Sequence, residues 1–434
     1  MNGNQNRLTE LAGEHMFFKA SFSKSLRKAM VDLANYPKVM ERCVDDALRS
    51  EDDAQAVVEA LDKLIAARLT KESGHEALHS VIAFFQESDS KDATAFLRKH
   101  GIPRLIRLLE THWNNVDLRD DLMFCLKQLG IYQTLEGVPI IVRAMREWPD
   151  GYMWKIILDT FAMKGAPQKH SLIRLIGNDL PSGFAGIAYL DVVNTLSRED
   201  GLAPHPFASE QGVIRLKALL KEQDSDSAIS ATAALPFLPA AVQSELFSRA
   251  LEHINWEVQV EAAWAMAHSG NERGYKLLVE YAKDVHKYDK VARYLHELGR
   301  DYLLPPETQS SDFQAMAEMS QWLQHPSEMR RVPDELTLYD TREVIWPPTN
   351  DQRRVWLFRY LYRAEDGQEP DEGLGMVGSV TFALFGETTA NLKPEEAYAL
   401  HCCWELQNNE DPLAPKERDI AAGLKILRKY NPGF

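Results

Sequence analysis

The sequence predicts a mainly α chain: an α-solenoid of stacked helical hairpins followed by a small C-terminal α+β module. Three observations carry that prediction. One apolar pattern recurs from starts at 118, 153, 188, 227 and 258, in steps of 35, 35, 39 and 31 residues. A second amphipathic stretch follows each copy, and near residue 300 the helical periodicity gives way to prolines and then to alternating apolar runs.

Residues 1–100 are expected to form an irregular helical N-terminal region or cap. Stretches 47–48, 57–69 and 77–85 offer apolar faces with no β-branched alternation.

Residues 101–300 carry the repeats. In the clearest copy Val258 is position zero, Ala263, Ala265 and Met266 follow at plus five, seven and eight, and Gly270 breaks the helix at plus twelve. The frame recurs as Leu118, Met123, Cys125, Leu126 and Gly130, and as Met153, Leu158, Thr160, Phe161 and Gly165. A looser copy is Ser227, Thr232, Ala234, Leu235 and Pro239, and a poorer one runs from Ala188 through Val193, Thr195 and Leu196. Second helices are expected at 138–148, 172–177, 213–220, 242–254 and 275–283. A hairpin of this size cannot bury its apolar face alone, so neighbours must stack. Small side chains at plus five and plus seven, such as Ala263, Ala265, Cys125 and Thr160, let adjacent helices approach closely.

Val258-Gln259, Leu118-Arg119, Ala263, Ala265, Gly270-Asn271 and Gly130 together form a pattern that resembles the HEAT-repeat family in its short variety, an armadillo-type α-solenoid. The resemblance covers roughly residues 100–300. It implies a stack whose concave face, lined by second helices, binds a protein or peptide. Gln259 stands where the family has Arg and Asn271 where it has Asp, so the polar ladder that links such repeats is incomplete. Similar short repeats occur in proteins like the phycobilin lyases, which implies a bilin lyase-like alternative.

Residues 301–345 are expected to be a connector with one helix near 313–323, because Pro305, Pro306, Pro326 and Pro333 fix its backbone at intervals. Residues 346–434 form the α+β module. Runs 355–362 and 379–385 alternate like the strands of a hairpin, and helices are expected at 394–406 and 415–430. Trp322, Trp346, Trp356 and Trp404 are expected to clamp this module onto the end of the helical stack.

The chain carries 49 Lys+Arg against 64 Asp+Glu, a formal charge of −15, so its field repels phosphate backbones and anionic lipid. Nucleic acid and membrane are excluded as partners on that ground. Cys43, Cys125, Cys402 and Cys403 form no CxxC pair and are read as buried small hydrophobes in a reducing compartment. With no basic and apolar leader pattern at the N-terminus, the expected location is the cytoplasm.

The sharpest chemical signal is His75-Glu76-Ala77-Leu78-His79. On a helix, histidines at i and i+4 share a face and can ligate one zinc ion, with the glutamate as general base, which makes a zinc-dependent hydrolase an alternative function. That chemistry needs a third ligand, for which Glu87, His100 and Glu110 are in range along the chain, and a neighbouring strand that the flanking sequence lacks. A surface or partly buried histidine pair is the preferred reading. Gly373, Gly375 and Gly378 match G-x-G-x-x-G, yet no helix follows them, so they are read as glycines that turn a hairpin or relieve a close approach. His401-Cys402-Cys403 is assigned to core packing, because adjacent helical positions point about 100° apart and cannot converge on one ion. The sequence therefore assigns no catalytic, cofactor or metal residue, and its functional expectation is a non-catalytic protein-protein interaction scaffold or adaptor.

Overall fold

The computed structural model describes residues 21–40, 48–71, 74–86, 90–222, 225–364, 370–384 and 389–434; Cys43, Glu87 and Phe385 lie outside them. The chain is mainly helical with a small antiparallel sheet near its C-terminus. It divides into two compact units, Met1–Val242 and Gln243–Phe434.

The first unit opens with α1 (Phe22–Ala29), α2 (Tyr36–Met40) and α3 (Glu51–Ala66). Ser50 and Asp53 start α3 with a reciprocal capping box, and the helix buries Val57, Val58, Leu61 and Leu64. Next come α4 (His75–Ala83), α5 (Lys91–Phe96) and α6 (Ile102–His112), the last two joined by a wide π-type turn over Leu97–Gly101.

From there helices follow one another closely, and the first helices are those that carry the frame positions. The first helices are α7 (Arg119–Ile131), α9 (Trp154–Phe161), α11 (Gly183–Glu199) and α13 (Ser225–Ala233). The second helices between them are α8 (Val138–Glu147), α10 (Lys169–Ile176) and α12 (Glu210–Leu219). First helices pack on one another in chain order, α7 on α9, α9 on α11 and α11 on α13; ahead of them α4 packs on α7, and α8 packs on α10. Met123, Cys125, Leu126, Leu158 and Phe161, all at frame positions, are buried. One detail differs from the sequence expectation. Gly130 does not break its helix: it lies inside α7, tight against Thr160 and Phe161 of α9, and the chain turns just afterwards at Gln133, whose φ is 50°.

The division between units falls within α14 (Ala240–Leu251). The second unit continues with α15 (Trp256–His268), α16 (Glu272–Tyr281), α17 (Tyr288–Glu297) and α18 (Ser311–Gln324). Gly270, at φ +78°, ends α15, where Asn271 N–H reaches back to Met266 O at 3.0 Å; Asn271 then caps α16 through Arg273 N. Helix α15 packs on α16 and α17.

The sheet has the order β1-β2-β3-β4, with β1 (Glu335–Trp346), β2 (Asp351–Tyr362), β3 (Asp371–Val377) and β4 (Phe382–Leu384), all antiparallel. Helices α19 (Pro394–Asn408) and α20 (Ile420–Tyr430) cover one face, burying Val344, Trp346, Val355 and Leu357 with Tyr398, Cys402 and Leu427. On the other face α18 buries Met319 and Leu323 against Phe358, Tyr360 and Tyr362. The alternation in β2 thus serves two cores.

Two expectations are corrected here. Stretch 301–345 holds its helix, α18, but also most of β1, an edge strand whose side chains are mostly charged or half exposed and so lack a clear apolar period. Of the glycines expected to turn a hairpin or relieve a close approach, two lie within a strand, β3. Gly373 and Gly375 are strand residues, and a Cβ at Gly375 would meet Met319 Sδ at 2.2 Å; only Gly378, at φ +113°, turns the chain.

Candidate functional site

Helix α4 begins at His75 behind Gly74, which at φ +93° adopts a conformation most residues avoid. Its two histidines, one turn apart, face Asp121 of α7. His75 Nδ1 lies 2.6 Å from Asp121 Oδ2 and His79 Nδ1 lies 3.4 Å from Asp121 Oδ1. Asp121 is 3% exposed, whereas His75 is half-buried, His79 is exposed and Glu76 is in solvent. The His79 ring stacks on Phe124 at 5.1 Å. An ionised carboxylate only accepts hydrogen bonds, so each neutral imidazole donates its Nδ1–H, and a protonated one forms an ion pair. The motif therefore joins α4 to α7.

A zinc centre draws no support from this arrangement. Among the described residues no group of three or more His, Cys, Asp or Glu side chains is placed to hold a metal ion. His100 packs on Phe96 at 4.6 Å, Glu110 is exposed, and Glu87 lies outside the described residues.

Asp121 occupies position plus three of its repeat frame, and that position is polar in three other copies: Asp191, Ser230 and Glu261. Asp191 is hydrogen-bonded to the Ser230 side chain, while the Ser230 main chain and the Glu261 side chain each meet a neighbouring helix. Ser230 O accepts from Asn194 Nδ2 of α11 at 2.8 Å, and Asn194 Oδ1 accepts from His205 Nε2 at 3.0 Å. His205 Nδ1 in turn accepts from Phe207 N at 3.2 Å, so this buried imidazole is neutral, its pKa pushed down to about 3 by burial. Burial lifts the Asp191 carboxyl above its ordinary range, and the Ser230 hydroxyl pulls it partly back. Glu261, 3% exposed, accepts from the Tyr294 hydroxyl of α17 and lies 3.8 Å from Lys290 Nζ. Aligning the repeats on apolar residues alone hid this position. Its signal was an acid or hydroxyl three residues into four of five copies, with Ile156 as the exception.

Between α6 and α8 four side chains form a column. Trp113 stacks on Trp148 with centroids 4.0 Å apart; Arg143 covers the first ring at 4.0 Å and Arg119 the second at 4.1 Å. Glu147 accepts from Trp113 Nε1 at 2.6 Å and from Arg143 Nε at 2.9 Å.

In the second unit His401 and Cys402 are buried core residues, as is Cys125 in the first, and burial pushes both thiols up, away from nucleophilic character. His401 Nε2 donates to Val380 O at 3.1 Å, and burial brings its pKa down to about 4. Below it Glu405, 1% exposed, accepts from Trp346 Nε1 at 2.8 Å and from Ser379 Oγ at 2.7 Å. The four tryptophans bind helices to the sheet: Trp356 Nε1 donates to Asp312 of α18 at 2.8 Å, Trp322 meets Phe382 edge-on, and Trp404 stacks on Phe382 at 4.0 Å. Among the described residues no helix is long and apolar enough to cross a membrane.

The chain matches no protein-family profile, no curated protein and no solved structure.

Proposed function

We propose that the chain is a non-catalytic interaction scaffold, an α-solenoid of HEAT-like helix pairs that binds a protein or peptide along its second helices. The observation that carries this reading is the chain-ordered packing of the first helices α7, α9, α11 and α13, with α4 packed on α7 ahead of them. Side-by-side stacking of hairpins is the arrangement that buries a face no single hairpin can bury. The side-chain contacts of Asp121 and Glu261, both three residues into their frame copies, link neighbouring helices and support the same register. The second helices keep apolar side chains in solvent, with Leu175 of α10 42% exposed and Ile214 of α12 61% exposed.

A hydrolase built on His75, Glu76 and His79 stands behind this reading, because its glutamate points to solvent and its histidines share one carboxylate. The bilin lyase-like alternative rests on resemblance alone. Capture of a partner from the native source, repeated with Leu175→Asp and Ile214→Asp, tests the proposal. Loss of the same partner in both variants is the expected result, and unchanged capture in both would overturn the second-helix assignment.

A further inference from the structure

We infer that a cleft on α16 receives an acidic, apolar peptide, its carboxylate seated on Arg300. The inference rests on the scaffold reading and gives it a partner chemistry, since α16 is one of the second helices. The cleft measures about 350 Å³ and is lined by Glu272, Tyr275, Lys276, Val279, Arg300, Tyr302 and Leu303. That volume lies at the small end of the range of ligand pockets.

Arg300 is set in place by the end of α17. Gly299 takes φ +64°, and Arg300 N–H then reaches back to Leu295 O at 2.7 Å, which projects the residue beyond the helix. Its guanidinium lies 5.8 Å from the Tyr275 ring and 5.9 Å from the Tyr302 ring, so two aromatic side chains flank it. Among the described residues no carboxylate comes within ion-pair distance of Arg300 or Lys276, although Glu272 and Lys276 stand four apart on one helix. In a chain of charge −15, Lys276 and Arg300 outnumber Glu272 among the charged residues that line the cleft, so the lining carries a small local excess of positive charge. A guanidinium offers paired N–H donors that match a carboxylate, while Val279, Leu303 and the tyrosine rings supply apolar contact beside it. Tyr302 is 73% exposed, an aromatic ring held in solvent at the mouth of the site.

The test uses full-length protein and a fluorescein-labelled octapeptide of alternating Glu and Leu, with Gln/Leu and Lys/Leu peptides as controls, read by anisotropy at low and high salt. The expected result is saturable binding of the Glu peptide, about tenfold tighter than the Gln peptide and weakened by salt. Arg300→Gln should lose about tenfold in affinity and Tyr275→Ala several-fold, while Arg363→Gln, at the end of β2 and outside the cleft and the second helices, changes nothing. Equal binding of all three peptides, absence of saturation, or an Arg300→Gln variant that binds like the parent would overturn the inference. If a native partner is still captured by Arg300→Gln, the cleft assignment fails and the scaffold reading survives; if no partner is captured by any form, the scaffold reading fails.

Discussion

His75 Nδ1 lies 2.6 Å from Asp121 Oδ2, a contact that joins α4 to α7 across 46 positions of sequence. The carboxylate is buried and the histidines are not, so the cost of losing the contact falls on Asp121. Asp121→Asn should destabilise the chain by about 1–2 kcal/mol, and His75→Gln by about 1 kcal/mol, in urea unfolding. Glu76→Gln should stay within about 0.5 kcal/mol, since its side chain is exposed. A Glu76 variant as costly as Asp121→Asn would contradict the structural role given to the motif.

Acid should weaken both units through buried histidines. His401 has its folded pKa near 4 against an ordinary 6.5. Between those values the unfolded chain binds a proton that the folded chain refuses, so stability is present above pH 6.5 and is lost as pH falls toward 4. The loss is about 1.4 kcal/mol per pH unit, or about 2 kcal/mol between pH 6.5 and pH 5. His205, near 3, acts in the same direction in the first unit. Asp191, raised by burial, acts in the opposite one, closer to the carboxylate range. Urea midpoints for the parent and His401→Gln at pH 7 and pH 5 check this: the variant should show a flatter pH dependence.

Close approach within the α15–α16 hairpin depends on Gly274. A Cβ there would fall 2.3 Å from Ala267 N and 2.6 Å from Ala263 O, both backbone atoms that cannot move alone. Gly274→Ala should cost about 1–3 kcal/mol in thermal unfolding. At Gly375 the obstruction is Met319 Sδ, the end of a flexible side chain, and Gly375→Ala should cost less than about 1 kcal/mol. Equal losses would refute the distinction.

Among the described residues, Trp346→Phe leaves the buried Glu405 carboxylate with Ser379 as its remaining side-chain hydrogen-bond donor. The expected loss is about 1–3 kcal/mol, measured by urea unfolding. Ser379→Ala and Trp346→Phe combined should be non-additive, because they share one acceptor.

Much of the helical part was legible because apolar spacing and breakers are local signals. The frame starts at Ser227 and Val258 lie in the first turn of a helix, Leu118 and Met153 immediately before one and Ala188 within one, and helices lie close to the positions expected for the second members. Strand β1 was illegible for a physical reason: an edge strand with charged side chains has no buried face to impose a period of two. Segment 371–377 misled because its glycines suggest a turn, whereas Met319 and Tyr360 need the space that those glycines leave. Asp121 was missed as the partner of His75 because 46 residues separate them, and no local pattern connects a histidine to the buried acid one helix away. The cleft on α16 was equally hidden, since Arg300 and Tyr275 meet only after α17 has turned the chain back.

The central claim is that the second helices carry the binding surface. Cross-linking mass spectrometry on the full-length protein with a partner captured from its native source tests it most directly. The account predicts cross-links concentrated on exposed residues of α8, α10, α12 and α16, with the Leu175→Asp and Ile214→Asp variants losing the partner. Cross-links confined to the exposed ends of the first helices, around Ile156 and Phe184, with partner retention by both variants, would contradict it.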